Sequence, residues 1–249
     1  MKCKNNIYFT IKKQLSKITM RNHQQNNTPP TAINNSCGFD PDTSPLKNTL
    51  LSLDCNSNID IKAHYNSGCF ASGLLGTGWH LDFEKHIEIN KDNVLVYDTP
   101  AIFSVYTPES ASSTRYTCCD ANKNGYTLTV DYSNHRYPYI IDCNSERTEY
   151  YNTIGRISKI VDPKGIETSI TYSKALITIT DVVSGKKIYL EKDSNDRVTR
   201  IYYKIEYETL LEYTDDLLTS VRNVNGDTIV YEYDKDKRIV LDNKKNSEH

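Results

Sequence analysis

The chain has 249 residues, 37% of them hydrophobic and 25% charged, with a formal net charge of −2. That length allows one or two domains with a real core. The near-balanced charge gives no basis for binding polyanions or steering to an acidic membrane, so nucleic acid is not an expected partner. No run of about 18 apolar residues occurs, and no transmembrane segment is expected.

Residues 1–48 are polar and rich in Asn, Gln and Lys. A stretch such as Arg21 to Pro30 cannot bury enough apolar surface to order itself, so a mobile leader is expected, with room for a short helix over residues 8–20. The basic start Met1-Lys2-Cys3-Lys4 is not followed by an apolar region, because Ile7 to Ile11 runs straight into Lys12-Lys13. A signal peptide is therefore not recognised.

From residue 49 the texture changes to short β-like runs. Ile59 to Tyr65 alternates at period 2, and Tyr126 to Tyr132 does so with Tyr126, Leu128, Val130 and Tyr132 on one face. The glycines of Gly73-Leu74-Leu75-Gly76-Thr77-Gly78-Trp79 are not followed by Lys-Ser/Thr or a helix start. They read as a turn before a strand, not a phosphate loop. Nineteen Tyr against five Phe and one Trp suit a pleated surface with one wet side.

A repeat of about 20 residues fills the stretch from 150 to 243. Taking Arg156, Leu176, Arg197, Leu217 and Arg238 as equivalent, the spacings are 20, 21, 20 and 21. A fixed period means stacked supersecondary units, and about 20 residues hold two strands and two turns. Asp162-Pro163-Lys164-Gly165 fits a type I turn, and Ile166, Thr168, Ile170 and Tyr172 then share a strand face. Asn225-Gly226 is a strong hairpin signal ahead of Ile229, Tyr231 and Tyr233, and Ser184-Gly185 takes the matching place in another unit. Two copies look degraded: Asp215-Asp216-Leu217 lacks the Gly-Arg of Gly155-Arg156, and Lys204-Ile205-Glu206 has no turn glycine. One hairpin is marginal alone, so neighbours are expected to pair edge to edge. Residues 244–249 read as a frayed tail.

Little in the sequence points to chemistry. The seven Cys (3, 37, 55, 69, 118, 119 and 143) are odd in number and contain no C-x-x-C pair. Buried or unpaired thiols are expected, with no zinc site and no assignable disulfide. Cys118-Cys119 has no His or Asn partner motif for a nucleophile. His80 and His86 flank a predicted strand at even spacing and could share a face, and Asp82, Glu84 and Glu88 alternate along it. Partly buried histidines and a solvated acidic face are the expected outcome. No catalytic residue, metal or cofactor is assigned, and the chain is not expected to be an enzyme. A Tyr face could stack sugars, but cross-strand aromatic packing at roughly 0.2–1 kcal/mol per pair is the favoured role.

The unit from Tyr150-Tyr151-Asn152 through Gly155-Arg156-Ile157 and Asp162-Pro163-Lys164-Gly165 to Tyr172 resembles the YD repeats of the Rhs family, which includes bacterial toxin-complex shell proteins and teneurins. Tyr231-Glu232-Tyr233-Asp234 with Arg238 resembles another copy. Tyr65-Asn66-Ser67-Gly68, with Gly76-Thr77-Gly78-Trp79, is similar to the segment by which such proteins enter their shell. The resemblance implies an all-β fold: repeated hairpins forming a spiralling open sheet or partial shell. It gives four parts: the leader 1–48, an entry region 49–149, a repeat array 150–243 and the tail 244–249. Its motif residues are Gly76, Gly78, Trp79, Gly155, Arg156, Asp162, Pro163, Gly165, Tyr172, Arg197, Gly226 and Tyr233. It implies a structural shell or scaffold role in toxin encapsulation, toxin delivery or cell-surface interaction, with a carbohydrate-binding module as the alternative. The partner is expected to be another protein chain, whether an effector, a shell partner or a second copy, with a glycan as the alternative ligand. Secretion or surface display is implied, with a cytoplasmic stage before export. At 249 residues the chain is expected to be a short or truncated member, without the family's self-cleavage core.

Overall fold

The computed structural model describes residues 46–52, 59–68, 70–204 and 207–245. The expected helix at 8–20, Cys3, Cys37, Cys55, Cys69 and Ile205-Glu206 of one degraded copy lie outside them. Apart from a 3₁₀ turn at Ala121–Lys123, every regular element among the described residues is a β-strand.

The chain begins with β1 (Leu46–Ser52), β2 (Asp60–Tyr65), the two-residue strands β3 (Ser72–Gly73) and β4 (Gly76–Thr77), and β5 (Trp79–Leu81). β1, β2 and β5 form a small antiparallel sheet, and β3 pairs with β4. Period-2 alternation puts Ile61, Ala63 and Tyr65 inward with Trp79 and Leu81, and all five are buried. β1 starts at Leu46, ahead of the boundary expected at 48.

The remaining strands are β6 (His86–Ile89), β7 (Val94–Tyr97), β8 (Phe103–Pro108), β9 (Arg115–Cys118), β10 (Tyr126–Val130), β11 (Tyr139–Cys143), β12 (Thr148–Tyr151), β13 (Ile157–Val161), β14 (Glu167–Tyr172), β15 (Leu176–Asp181), β16 (Lys187–Lys192), β17 (Val198–Lys204), β18 (Tyr207–Thr214), β19 (Leu217–Arg222), β20 (Thr228–Tyr233) and β21 (Ile239–Lys245). They form one antiparallel sheet of 16 strands in strict chain order. It is a continuous meander, open and not closed into a barrel. The boundary expected between 149 and 150 falls inside β12, within this one sheet. The expected tail is entered by β21, which pairs with β20 out to Lys245. Tyr132 falls beyond the end of β10 and is exposed, so it leaves the face that buries Leu128 and Val130.

The turns explain the period. Asn152, Asp193 and Asp234 each open a four-residue turn whose fourth residue is left-handed: Gly155 (φ 79°), Asp196 (68°) and Lys237 (62°). In each, the fourth N–H donates to the first carbonyl, at 2.9, 3.1 and 3.0 Å. The first side chain also accepts the N–H groups of the third and fifth residues. A turn followed by a left-handed residue leaves a bulge, and the register slips beside all three, at Tyr150/Tyr151, Glu191/Lys192 and Glu232/Tyr233. Arg156, Arg197 and Arg238 are the fifth residues of these loops. The alternate connections are tight, Lys174–Ala175 and Asp215–Asp216, and open directly on Leu176 and Leu217. The Leu217 copy is therefore not a decayed version of the Arg copies: with the Leu176 copy it forms a second turn class alternating with the first, and Arg recurs every 41 residues.

The sheet also curls. The Ile87 N–H donates to the Gly155 carbonyl at 2.8 Å, and the Ile157 N–H to the Lys85 carbonyl at 3.2 Å. With an isolated bridge between His86 and Arg156, these contacts bring the first strand of the sheet against the β12–β13 loop.

Candidate functional site

The loops at 152–156, 173–175, 193–197, 215–216 and 234–238 lie along one end of the repeat array, because alternate connections of a meander share an end. Against this row lies the segment from Tyr65 to Ile87, touching four of the five loops. Lys85 and Ile87 bond to Ile157 and Gly155, as above. The Leu74 carbonyl accepts the Val198 N–H at 2.8 Å, and the Thr77 N–H donates to the Asp216 carbonyl at 2.8 Å. The Asp216 carboxylate accepts the Thr77 hydroxyl at 3.0 Å and the Ser72 hydroxyl. The Tyr65 hydroxyl donates to the Lys237 carbonyl at 2.9 Å and accepts the Ile239 N–H at 3.2 Å. Each is a modest bond, about 0.5–1.5 kcal/mol net. Together they fix one short segment to residues up to 174 positions away.

Close backbone approach makes two of these contacts depend on glycine. A Cβ on Gly76 would sit 2.5 Å from the Asp216 carbonyl oxygen, and one on Gly155 would sit 2.4 Å from that of Ile87. Both have φ near +80°, which L side chains rarely adopt.

A second device closes each hairpin at the same end. The Tyr172 hydroxyl donates to the Ile157 carbonyl at 2.7 Å, Tyr213 to Val198 at 2.6 Å and Tyr233 to Leu218 at 2.6 Å. Each tyrosine reaches back 15 residues to the start of the preceding strand. Burial raises all three phenol pKa values, so the hydroxyls stay protonated donors. The Arg156 and Arg197 guanidinium groups lie 5.4 and 4.6 Å from the ring centres of Tyr172 and Tyr213. Arg197 also holds the Asp193 carboxylate through Nε and Nη2, at 2.9 and 2.7 Å. In the β15–β16 unit Leu176 and Lys192 replace both members of the Arg–Tyr pair, and Lys192 turns to Asp196 instead. In the β19–β20 unit the Tyr233 hydroxyl accepts the Trp79 indole N–H at 3.0 Å, so the entry tryptophan joins the row.

Buried charge lies under the first strands. The Glu149 carboxylate, 2% exposed, accepts Lys85 Nζ at 2.8 Å, Arg147 Nε at 2.7 Å and the Tyr151 hydroxyl at 2.7 Å. Burial alone would raise its pKa, but Lys85 and Arg147 outweigh burial and hold it at about 2. Asp98 adds contacts to Lys85 at 3.3 Å and to Lys123. Nearby, burial with the Glu149 charge pushes the Cys143 thiol up to about 12, so it is an inert core thiol.

The acids and histidines of the entry region do not share one face. β5 ends at Leu81 and β6 starts at His86, so the strand expected to carry them is broken by a turn. Glu84 is half-buried there and accepts the Leu74 and Leu81 N–H groups; desolvation raises its pKa to about 7. Asp82 is half exposed and contacts His64. His80 stacks on His64 at 5.2 Å, and burial followed by that neighbour lowers it to about 4. Among the described residues no three His, Cys, Asp or Glu side chains form a metal-holding group.

Of the motif residues, Gly76, Trp79, Gly155, Arg156, Tyr172, Arg197 and Tyr233 gather at the docking end. Gly78 spaces that end, its N–H donating to Ala71 and its carbonyl accepting from Asn66. Asp162, Pro163, Gly165 and Gly226 sit in turns at the opposite end, where a Cβ on Gly165 would meet nothing within 4 Å. Tyr65, Leu74, Glu84 and Asp216 also act at the docking end: Tyr65 opens the segment on which the resemblance rests, whereas Asp216 lies in the copy that lacks Gly-Arg. Only the left-handed φ of Asp215 marks the Asp215–Asp216 turn, and a sequence gives little hint of that.

Residues 46–100 match the family model of a domain of unknown function, DUF6531. That domain occurs in Rhs/YD-repeat-type proteins. The match runs from β1 past β7, so it contains the whole docking segment and the first strand of the curled sheet. No curated protein matches the chain. No helix among the described residues is long and apolar enough to cross a membrane.

Proposed function

We propose that this chain is a structural β-shell or scaffold segment of Rhs/YD-repeat type, serving toxin encapsulation, delivery or cell-surface interaction by holding another protein chain. One observation carries the reading: the entry segment is fastened to successive loops of a single long meander, so the motif residues of both parts are spent on architecture. The match over residues 46–100 supports it. The outer edge of β21 ends the sheet order, and an open edge is a template for another strand. The partner chain therefore adds along β21, where Val240 is 60% exposed.

Light scattering on the full chain over a range of concentration tests this. A mass that rises above the monomer, and that Val240→Lys suppresses, is the expected result. A monodisperse monomer at high concentration for the unaltered chain refutes edge pairing. The outward Tyr189–Tyr202 stack, 5.1 Å between rings, and the Tyr137–Tyr150 pair favour a second reading as a glycan-binding face. Glycan-array binding abolished by Tyr202→Ala or Tyr150→Ala would select it.

A further inference from the structure

The backbone pairing of β6 with the β12–β13 loop is short, a single bridge made of two hydrogen bonds with the Lys85–Glu149 ion pair beside it, where neighbouring strands elsewhere share three or more residue pairs. Across this seam runs a row of rings and charge. Phe103 packs on Tyr97 at 5.2 Å, and Tyr97 stacks on His86 at 4.2 Å with their planes only 7° apart. His86 is bridged to Arg156, and the Arg156 guanidinium lies over Tyr172. The imidazole thus stacks on Tyr97 from a residue whose bridge partner across the seam is a permanent cation, on the first residue of the strand whose release would open the curl.

We propose that His86 is a proton-operated latch on this seam: the neutral imidazole tolerates Arg156 and keeps β6 against the β12–β13 loop, and protonation sets two cations side by side and frees it. The charged and titratable groups around the ring set the balance. Tyr97 faces it from β7 and Arg156 from the loop. Glu88 is the acid on the same face of its own strand, and it accepts the Tyr97 hydroxyl at 3.4 Å. The preceding residue, Lys85, is committed to Glu149 and Asp98 on the buried side. Burial, with Arg156 second, already holds the imidazole down to about 4. A freed imidazole would titrate at its ordinary 6.5. Closure is therefore fully favoured above pH 6.5 and weakens as pH falls through about 4.

Hydrogen exchange of the full chain, followed residue by residue by NMR and normalised to intrinsic exchange rates, reads the latch directly. The reporters are the Ile87 and Ile157 amides, which donate across the seam, with β15 and β16 amides as the internal reference. Between pH 7 and pH 4 the seam amides should lose about tenfold or more protection relative to the reference. His86→Phe, which keeps a ring on Tyr97 and cannot be charged, should hold that ratio within about twofold. If His86→Phe does not fold, His86→Gln serves as the uncharged variant. Seam protection that does not change with pH in the unaltered chain overturns the latch. So does a fall of equal size in the uncharged variant, because the proton would then act elsewhere, as at His80, which is also lowered to about 4.

Discussion

Two glycines with nearly the same backbone allow the seam to be weighed. Gly155 and Gly165 have φ of 79° and 81°. Alanine in that region costs about 1–2 kcal/mol at either site, partly offset by a less flexible unfolded chain. Only their surroundings differ. The new Cβ meets nothing within 4 Å at 165 but lies 2.4 Å from the Ile87 carbonyl oxygen at 155. Reaching ordinary contact requires the loop to retreat by about 1 Å. The seam bonds, now 2.8 and 3.2 Å, would then lie outside hydrogen-bond range. Two lost bonds add about 1–3 kcal/mol. Gly165→Ala should therefore cost about 1–2 kcal/mol and Gly155→Ala about 2–5 kcal/mol, read from urea midpoints at constant m. Equal losses, within about 0.5 kcal/mol, would show that the contact between β6 and the β12–β13 loop is not part of the folded state.

Tyr213→Phe should cost about 1–2 kcal/mol by the same assay, because the Val198 carbonyl loses its donor, whereas Tyr126→Phe, whose hydroxyl meets exposed Glu146, should cost close to nothing. Glu149→Gln should lower stability by about 3–5 kcal/mol by leaving Lys85 and Arg147 facing a neutral amide, seen as a large drop in Tm. Because the folded pKa of Glu149, about 2, lies below the ordinary carboxylate value, its contribution is complete above about pH 4.5 and lost as pH falls towards 2 in acid titrations monitored by circular dichroism. Glu84 has the opposite sign: its folded value of about 7 lies above the ordinary 4.5, so stability it lends at low pH is lost as pH rises through 7. His80 and His86, both lowered to about 4, gain stability over part of the same interval. Glu84→Gln, which turns an amide N–H₂ towards a backbone N–H, should be less stable by about 1–3 kcal/mol at pH 5, yet steeper in its rise from pH 5 to pH 7 in urea unfolding.

Several strands, their turns and the edge-to-edge pairing of neighbouring hairpins were legible in the sequence because each rests on local rules. Alternation at Ile61, Ala63 and Tyr65 sets a buried face, and the Asx residues at 152, 162 and 193 cap their own turns. The alternation of turn classes was harder to see. The tight Asp215–Asp216 connection has no Gly-Arg of its own, so the Leu217 unit read as damaged rather than as a different turn. The docking partners were not legible at all. Nothing in Leu74 or Asp216 announces that one will meet Val198 and the other Thr77, since those contacts depend on where the whole sheet has carried each loop. The acids at 82, 84 and 88 misled for a related reason. Their even spacing suits a strand, but the turn after Leu81 that lets Glu84 hold two backbone N–H groups breaks the register.

A segment that touches one loop after another also measures the array. The points it reads, near residues 155, 198, 216 and 237, stand at intervals set by whole hairpins, and a rigid short peptide cannot stretch to meet a changed count. Losing or gaining one unit between Ile157 and Tyr233 would present each downstream contact with the wrong loop. A unit joined beyond Lys245 would disturb none of them. The number of modules is thus gauged on one side of β21 and left free on the other.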